Sequence, residues 1–235
     1  MQHRSLRTRI ASAVATLVLS GLVVASTALG VTGSTVDGDA HPYVGALVVD
    51  ETVRCSGVLV ARKVFVTAGH CGVDGERVSV SFDSKLDDGW SLQDGTLHVD
   101  PAKRADLAVV VLDGSAAPRP AALPQAGAVD ALVRRAPVTS VGYGYSSLAA
   151  DGSWVYDGYR RFADSPVRKS SRLYLTISTR EAGPCLGDSG GPQVAGDTVL
   201  SITSAGSKDC QGKAEGFRLD SGHARDFLGR FLPLP

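Results

Sequence analysis

A serine enclosed by glycines is the most chemically suggestive feature of this 235-residue chain. In Gly187-Asp188-Ser189-Gly190-Gly191-Pro192, three glycines around one serine call for a tight turn whose backbone is free of bulky side chains, the setting of an exposed nucleophile. A neutral hydroxyl attacks poorly near pH 7, so such a serine needs a base beside it in space. Two other short segments carry groups suited to proton transfer: Thr67-Ala68-Gly69-His70-Cys71 and Asp106-Leu107-Ala108-Val109-Val110. Taken singly, each has an ordinary reading, as a histidine half-buried near a disulfide and as an aspartate in a turn before an apolar strand. The remaining histidines, His3, His41, His98 and His223, read as structural or solvated, and Asp100 and Asp113 as turn residues. Asp83, Asp87, Asp88 and Asp94 lack a regular ligand spacing. No metal and no cofactor are assigned.

The elements that would hold these groups are short runs rich in Val, Leu, Ile and aromatics, broken by Gly, Asp and Ser. Strands are expected at residues 43–49, 54–60, 63–67, 77–82, 96–99, 106–112, 137–142, 172–177, 199–203 and 216–219. Spacing of this kind suggests barrels or a sandwich. A Pro- and Ala-rich stretch, residues 114–128, divides the strands into two groups. Only the tail reads as helix: Ser221 is placed to cap it, Phe227, Leu228, Phe231 and Leu232 fall at helical spacing, and Pro233 ends it. Residues 148–165 mix turn formers with aromatics and read as a surface loop near the active site, in preference to a binding patch.

The chain opens with Arg4, Arg7 and Arg9, followed by an apolar run to Gly30 and small residues suited to signal-peptidase cleavage. No basic stop-transfer cluster follows, so export is the reading preferred over a membrane anchor. Without that leader, 21 basic residues face 24 acidic ones, a balance too even to point to nucleic acid or an anionic membrane as partner. With 43% hydrophobic and 20% charged residues the chain is not disordered. In an exported protein four cysteines read as two disulfides, and their spacing fits no C-x-x-C metal pattern. Three pairings are open.

In the order His, Asp, Ser, the three segments together resemble the chymotrypsin-like (trypsin family) serine peptidases. The resemblance spans almost all of the chain after the leader. Arg54-Cys55-Ser56-Gly57-Val58-Leu59 is similar to the strand before the family's histidine, and Val141-Gly142-Tyr143-Gly144 to its Gly-aromatic-Gly strand. The closing Phe217-Arg218-Leu219-Asp220 before a helix is similar to secreted actinobacterial members. The resemblance implies an all-β fold of two six-stranded antiparallel β-barrels with a C-terminal helix. A signal peptide would occupy residues 1–30, a first barrel carrying His70 and Asp106 residues 31–120, and a second carrying Ser189 residues 121–235. It pairs Cys55 with Cys71 and Cys185 with Cys210.

By the same resemblance, Ser189 is the nucleophile of a secreted monomeric endopeptidase, His70 its general base, and Asp106 the group orienting His70. Backbone N–H groups of Gly187 and Ser189 form the oxyanion hole. The primary pocket falls to Gly183 at its base, with Ser204, Ala205 and Gly206 on one side and Gly216 on the other. With no acid at the base, the expected preference is a large apolar residue before the scissile bond. Arg218 is the rival determinant, reaching into the pocket to favour an acidic side chain or simply to fill it. Ala205 stands where a tryptophan is common, which flattens the neighbouring subsites. The family's Ile-Val-Gly-Gly start is missing: Thr35-Val36-Asp37-Gly38 stands in its region, leaving Asp188 in need of a partner. The alternative function is a catalytically silent binding protein on the same fold.

Overall fold

The computed structural model describes residues 33–235, and the expected leader lies outside them. Its β-branched and aromatic runs become strands, beginning with β1 (Thr35–Val36), β2 (Val44–Val49), β3 (Thr52–Ala61), β4 (Val64–Thr67), β5 (Arg77–Ser81), β6 (Gln93–Val99) and β7 (Ala108–Leu112). The last six close into an antiparallel barrel in the order β2-β3-β4-β7-β6-β5. Every position of β2 and β4 is buried, because one face fills the barrel and the other is covered. Leu47, Leu59, Phe65, Leu97 and Val109 have no exposed surface.

The second unit comprises β8 (Pro137–Gly142), β9 (Ser147–Leu148), β10 (Trp154–Val155), β11 (Arg161–Ser170), β12 (Tyr174–Ile177), β13 (Pro192–Ala195), β14 (Thr198–Gly206) and β15 (Ala214–Arg218). Strands β11-β12-β15-β14-β13-β8 are neighbours in that order, and pairing of β8 with β11 closes them into a second six-stranded antiparallel barrel. β1 adds to the outside of β11, so residues preceding the first barrel in sequence belong to the second in space. The helix α1 (Gly222–Leu228) is capped by Ser221, whose hydroxyl accepts from the Ala224 N–H. It stops at Leu228, earlier than Phe231 and Leu232 suggest, and those two residues lie in turns. Disulfides join Cys55 to Cys71 and Cys185 to Cys210. No helix among the described residues is long and apolar enough to cross a membrane.

The loop expected over residues 148–165 is corrected in part. β9 and β10 form a small hairpin there, and the stretch ends inside β11, a ten-residue strand. The inward positions of β11 are Ala163, Ser165 and Val167, small or polar side chains that give little apolar alternation, and Pro166 further disguises the run.

A buried ion pair ties the segment before β2 to both barrels. The Arg160 guanidinium, 1% exposed, donates to Asp37 Oδ2 (2.7 Å) and to the carbonyls of Gly38 (2.6 Å), Val44 (3.2 Å) and Phe82 (2.9 Å), and to the Tyr143 hydroxyl (3.2 Å). Burial alone would raise the Asp37 pKa, but bonds from His41 and Arg160 outweigh it and hold the carboxyl low. Removing one ion from such a pair strands the other. Arg160→Met is therefore expected to lower the unfolding free energy by about 3–5 kcal/mol, and Arg160→Met combined with Asp37→Leu by less than the single change; denaturant unfolding of the variants checks this order.

Candidate active site

β4 delivers its chain through Ala68 into a 3-10 turn, Gly69–Cys71, that presents His70 at the edge of the first barrel. Asp106 lies two residues before β7, the neighbour of β4, so the two side chains meet across adjacent strands. His70 Nδ1 is 3.0 Å from both Asp106 oxygens, and the His70 backbone N–H also donates to Oδ1 at 3.0 Å. The second barrel completes the carboxylate's shell: Ser204 Oγ donates to Asp106 Oδ2 at 2.5 Å. The bond from Asp106 raises the His70 pKa, against a smaller opposing effect of burial. Burial would raise Asp106, but the bonds from His70 and Ser204 outweigh it and keep the carboxyl below its usual range. The pair is arranged to hold Asp106 ionised with the imidazole Nδ1 protonated beside it.

Ser189 sits half-buried in the loop before β13, which is shaped by its own backbone bonds: Asp188 N–H to Cys185 O (3.1 Å) and Gly191 N–H to Asp188 O (2.9 Å). Gly187 and Gly190 hold φ of +89° and +78°, conformations that side chains resist. Among the described residues no acceptor takes the N–H of Gly187 or of Ser189, which leaves both donors free for a ligand oxygen.

Ser56, on β3, fastens this loop to the first barrel. Its N–H donates to Ser189 O (2.8 Å), its hydroxyl donates to Gly187 O (3.0 Å) and accepts from Tyr143 N–H (2.9 Å), and its carbonyl accepts from Thr67 Oγ1 (2.7 Å). A β-carbon at Gly190 would collide with Thr67 Oγ1 and the Ser56 carbonyl. Sequence reasoning passed over Ser56 as an ordinary strand residue.

Asp188 has found partners other than a cation. Fully buried, its carboxylate accepts from Gly144 N–H and Cys185 N–H, each at 2.8 Å. Burial pushes its pKa up to about 6, the two N–H bonds opposing that rise. Gly142 and Gly144 are needed for the approach, since a β-carbon at either would strike the carboxylate. Val36 is 42% exposed and paired with Arg161, so it is not beside Asp188.

Of the expected pocket residues, Gly183 and Gly216 are buried, Ala205 and Gly206 exposed, and Ser204 bonds to Asp106. The Cβ direction at Gly183 is filled by Thr179, with Ser165 behind it, and at Gly216 by Gln193 and Ser201. These neighbours are all uncharged. Arg218 does not reach into the pocket: its guanidinium is bound by Asp220 (2.8 and 2.7 Å), Asp130 (2.7 Å) and Ser171 O (2.7 Å). The bond to Asp220 comes first among the causes that raise its pKa. A cleft of about 420 Å³ beside Gly187 is lined by Leu86, Trp90, Tyr145, Tyr156 and Leu186, Tyr156 coming from the aromatic-rich stretch 148–165.

The other described histidines are engaged elsewhere: His41 with Asp37, His98 against Phe231, and His223 Nε2 with Asp100 Oδ2 at 2.8 Å. Asp113 pairs with Arg77, and Asp83 and Asp94 bond to nearby Ser91 and Ser79. Among the described residues the grouping with potential metal ligands is Cys55, His70 and Cys71, whose thiols are consumed in a disulfide.

Two closed barrels with a histidine–aspartate pair and a glycine-framed serine at their seam define a chymotrypsin-like serine peptidase domain. The chain belongs to the trypsin family, whose model, described as Trypsin, matches residues 31–227, and it is a serine-type endopeptidase. Solved structures share the fold at low identity. HL collagenase is 19% identical, with 84% of this chain and 95% of that chain covered and a TM-score of 0.68. Neuropsin, a serine protease expressed in the limbic system of mouse brain, is 19% identical, with 82% and 95% covered and a TM-score of 0.67. HBP is 18% identical, with 86% and 97% covered and a TM-score of 0.70. No curated protein sequence matches the chain significantly.

The Gly190 contacts yield a prediction. Gly190→Ala combines left-handed strain with a clash across the seam, so a loss of about 2–5 kcal/mol of stability is expected, together with a fall in peptidase activity in the fraction that folds. Thermal unfolding and activity per folded molecule measure the two effects separately.

Proposed function

We propose that the chain is exported, loses residues 1–30, and cleaves polypeptides through an acyl-enzyme on Ser189, preferring a large apolar residue before the scissile bond. The observation that carries this reading is the His70–Asp106 pair, 3.0 Å apart and backed by Ser204, on the face to which the Ser189 loop is tied. In it, His70 removes the Ser189 proton as the hydroxyl attacks the carbonyl, then delivers that proton to the leaving amine. Asp106 fixes the Nδ1-protonated tautomer and stabilises the imidazolium. The free N–H groups of Gly187 and Ser189 bind the developing oxyanion, each worth on the order of 3 kcal/mol in comparable sites. Water then releases the acyl group by the same steps. Preference for an uncharged over a charged residue is supported by the lack of any charged side chain packed behind Gly183 and Gly216 and by the engagement of Arg218 elsewhere. The aromatic cleft beside Gly187 suits the leaving side of the substrate chain. Export is supported by the leader's composition and by the two disulfides.

Ser189→Ala, His70→Ala and the double variant are expected to lose nearly the same activity on a chromogenic peptide ester, since neither group assists without the other, and Asp106→Asn to lose somewhat less. Neutral His70 is the working base, and its pKa lies above the ordinary 6.5 through the bond to Asp106, so wild-type kcat/KM rises with pH through an apparent pKa above 6.5. A folded His70→Ala protein working at the wild-type rate would place the activity elsewhere. On a peptide library, cleavage after Phe or Leu is expected to exceed cleavage after Arg, Lys or Glu; the reverse order removes the apolar assignment while leaving the mechanism intact.

A further inference from the structure

On β11 and the segments packed against it, four arginines, Arg134, Arg135, Arg168 and Arg180, line one cleft of about 300 Å³, with Pro166, Val167 and Ser178 as its other walls. No carboxylate lines it. Arg54, Arg77, Arg160, Arg161 and Arg218 each have a carboxylate within 4.0 Å, whereas among the described residues these four have none. The chain as a whole has balanced charge, so this concentration of one sign is local.

Backbone features direct three of the four side chains. Arg134 and Arg135 are the central residues of a turn closed by Ala136 N–H to Val133 O (3.0 Å). Arg135 holds φ of +71° at the position where glycine or asparagine is usual, a conformation that costs an arginine energy. The turn is fixed to β11 by Arg135 N–H to Val167 O (2.8 Å) and Val167 N–H to Ala136 O (2.9 Å). Arg168 is the extra residue of a bulge, since Val167 pairs with Ile177 and Lys169 with Thr176. Bulges re-aim side chains, and here Arg168 Nη1 is also held by Gly212 O at 3.2 Å. Arg180 follows closely on the end of β12, and Ser178 N–H donates to Pro166 O (2.9 Å) between them.

We propose that this cleft is an anion site taking a compact oligophosphate, two or three linked phosphate groups. Planar guanidinium forks bind phosphate oxygens in pairs. Four unneutralised cations match a ligand of three or four negative charges better than a single phosphate, and like charges gathered without a counter-charge gain most from a multiply charged anion. The site is separate from the His70–Asp106 pair and does not depend on the peptidase reading.

The test is calorimetric titration of the disulfide-bonded protein, without its leader, with sodium tripolyphosphate and, separately, orthophosphate in low salt. Tripolyphosphate is expected to bind with 1:1 stoichiometry, at least tenfold tighter than orthophosphate, and to weaken as salt is raised. Arg134→Ala with Arg168→Ala should weaken it at least tenfold, and Arg77→Ala, whose arginine is paired with Asp113, by less than twofold. Arg135→Gly should weaken it at least threefold without lowering the melting temperature, because glycine relieves the backbone while removing the cation. Equal affinity for the two phosphates, no saturable binding, or an unchanged affinity in the double variant overturns the proposal.

Discussion

The two barrels are joined at a seam where the Ser189 loop meets the strand bearing Ser56. His70 and Asp106 belong to the first barrel and Ser189 to the second, so no local feature of either barrel sets their separation. Ser56 bridges the two with three bonds: its N–H to the Ser189 carbonyl, its hydroxyl to the Gly187 carbonyl, and its hydroxyl oxygen from the Tyr143 N–H. The peptide planes that carry the Gly187 and Ser189 N–H groups are held through the carbonyls preceding them: Leu186 O accepts from Tyr145 N–H (2.8 Å) and Asp188 O from Gly191 N–H (2.9 Å). Among the described residues neither of these two N–H groups has an acceptor.

The two carboxylates nearest this seam are driven in opposite directions by their surroundings. Asp106 is partly buried but receives hydrogen bonds from the imidazole, the His70 N–H and the Ser204 hydroxyl, and stays ionised. Asp188 is wholly buried and receives two backbone N–H bonds without a cation, so its pKa rises to about 6. Hydrogen bonds to the charged form favour ionisation and desolvation opposes it: Asp106 is only partly buried and also feels the His70 imidazole, while Asp188 is fully buried with two backbone donors. Asp188 accordingly braces the loop through Gly144 and Cys185, the role of a structural acceptor.

A second buried charge, Arg160, anchors what precedes the first barrel. Its contacts with Asp37, Gly38, Val44, Phe82 and the Tyr143 hydroxyl link the entering chain, the first barrel and the aromatic residue between Gly142 and Gly144. Tyr143 in turn donates its hydroxyl to the Asp83 carbonyl at 2.7 Å. Burial pushes the Tyr143 hydroxyl up to about 12, so it stays a neutral donor across the working pH range.

Local chemistry was legible in the sequence. The glycines around Ser189, the serine cap of α1 and most strands with apolar cores follow from short-range constraints: a turn that excludes side chains, a capped N–H, or a face that must leave water; the grouping of His70, Asp106 and Ser189 was legible only through the family resemblance of their three segments. Tertiary structure decided everything that depends on direction across the barrels. β11 was hidden because only Val167 among its inward residues is a large apolar side chain, and it is a strand because β8 pairs with its first half and β12 with its second. Ser204 was read as a pocket wall, and the bond from its hydroxyl to Asp106, 98 residues away, was not foreseen. Arg218 was a candidate for the primary pocket until Asp220 and Asp130 claimed its guanidinium. A sequence states which groups a chain owns, but a hydrogen bond is settled by which of them barrel closure brings within about 3 Å, and those partners lie too far apart along the chain for spacing to reveal.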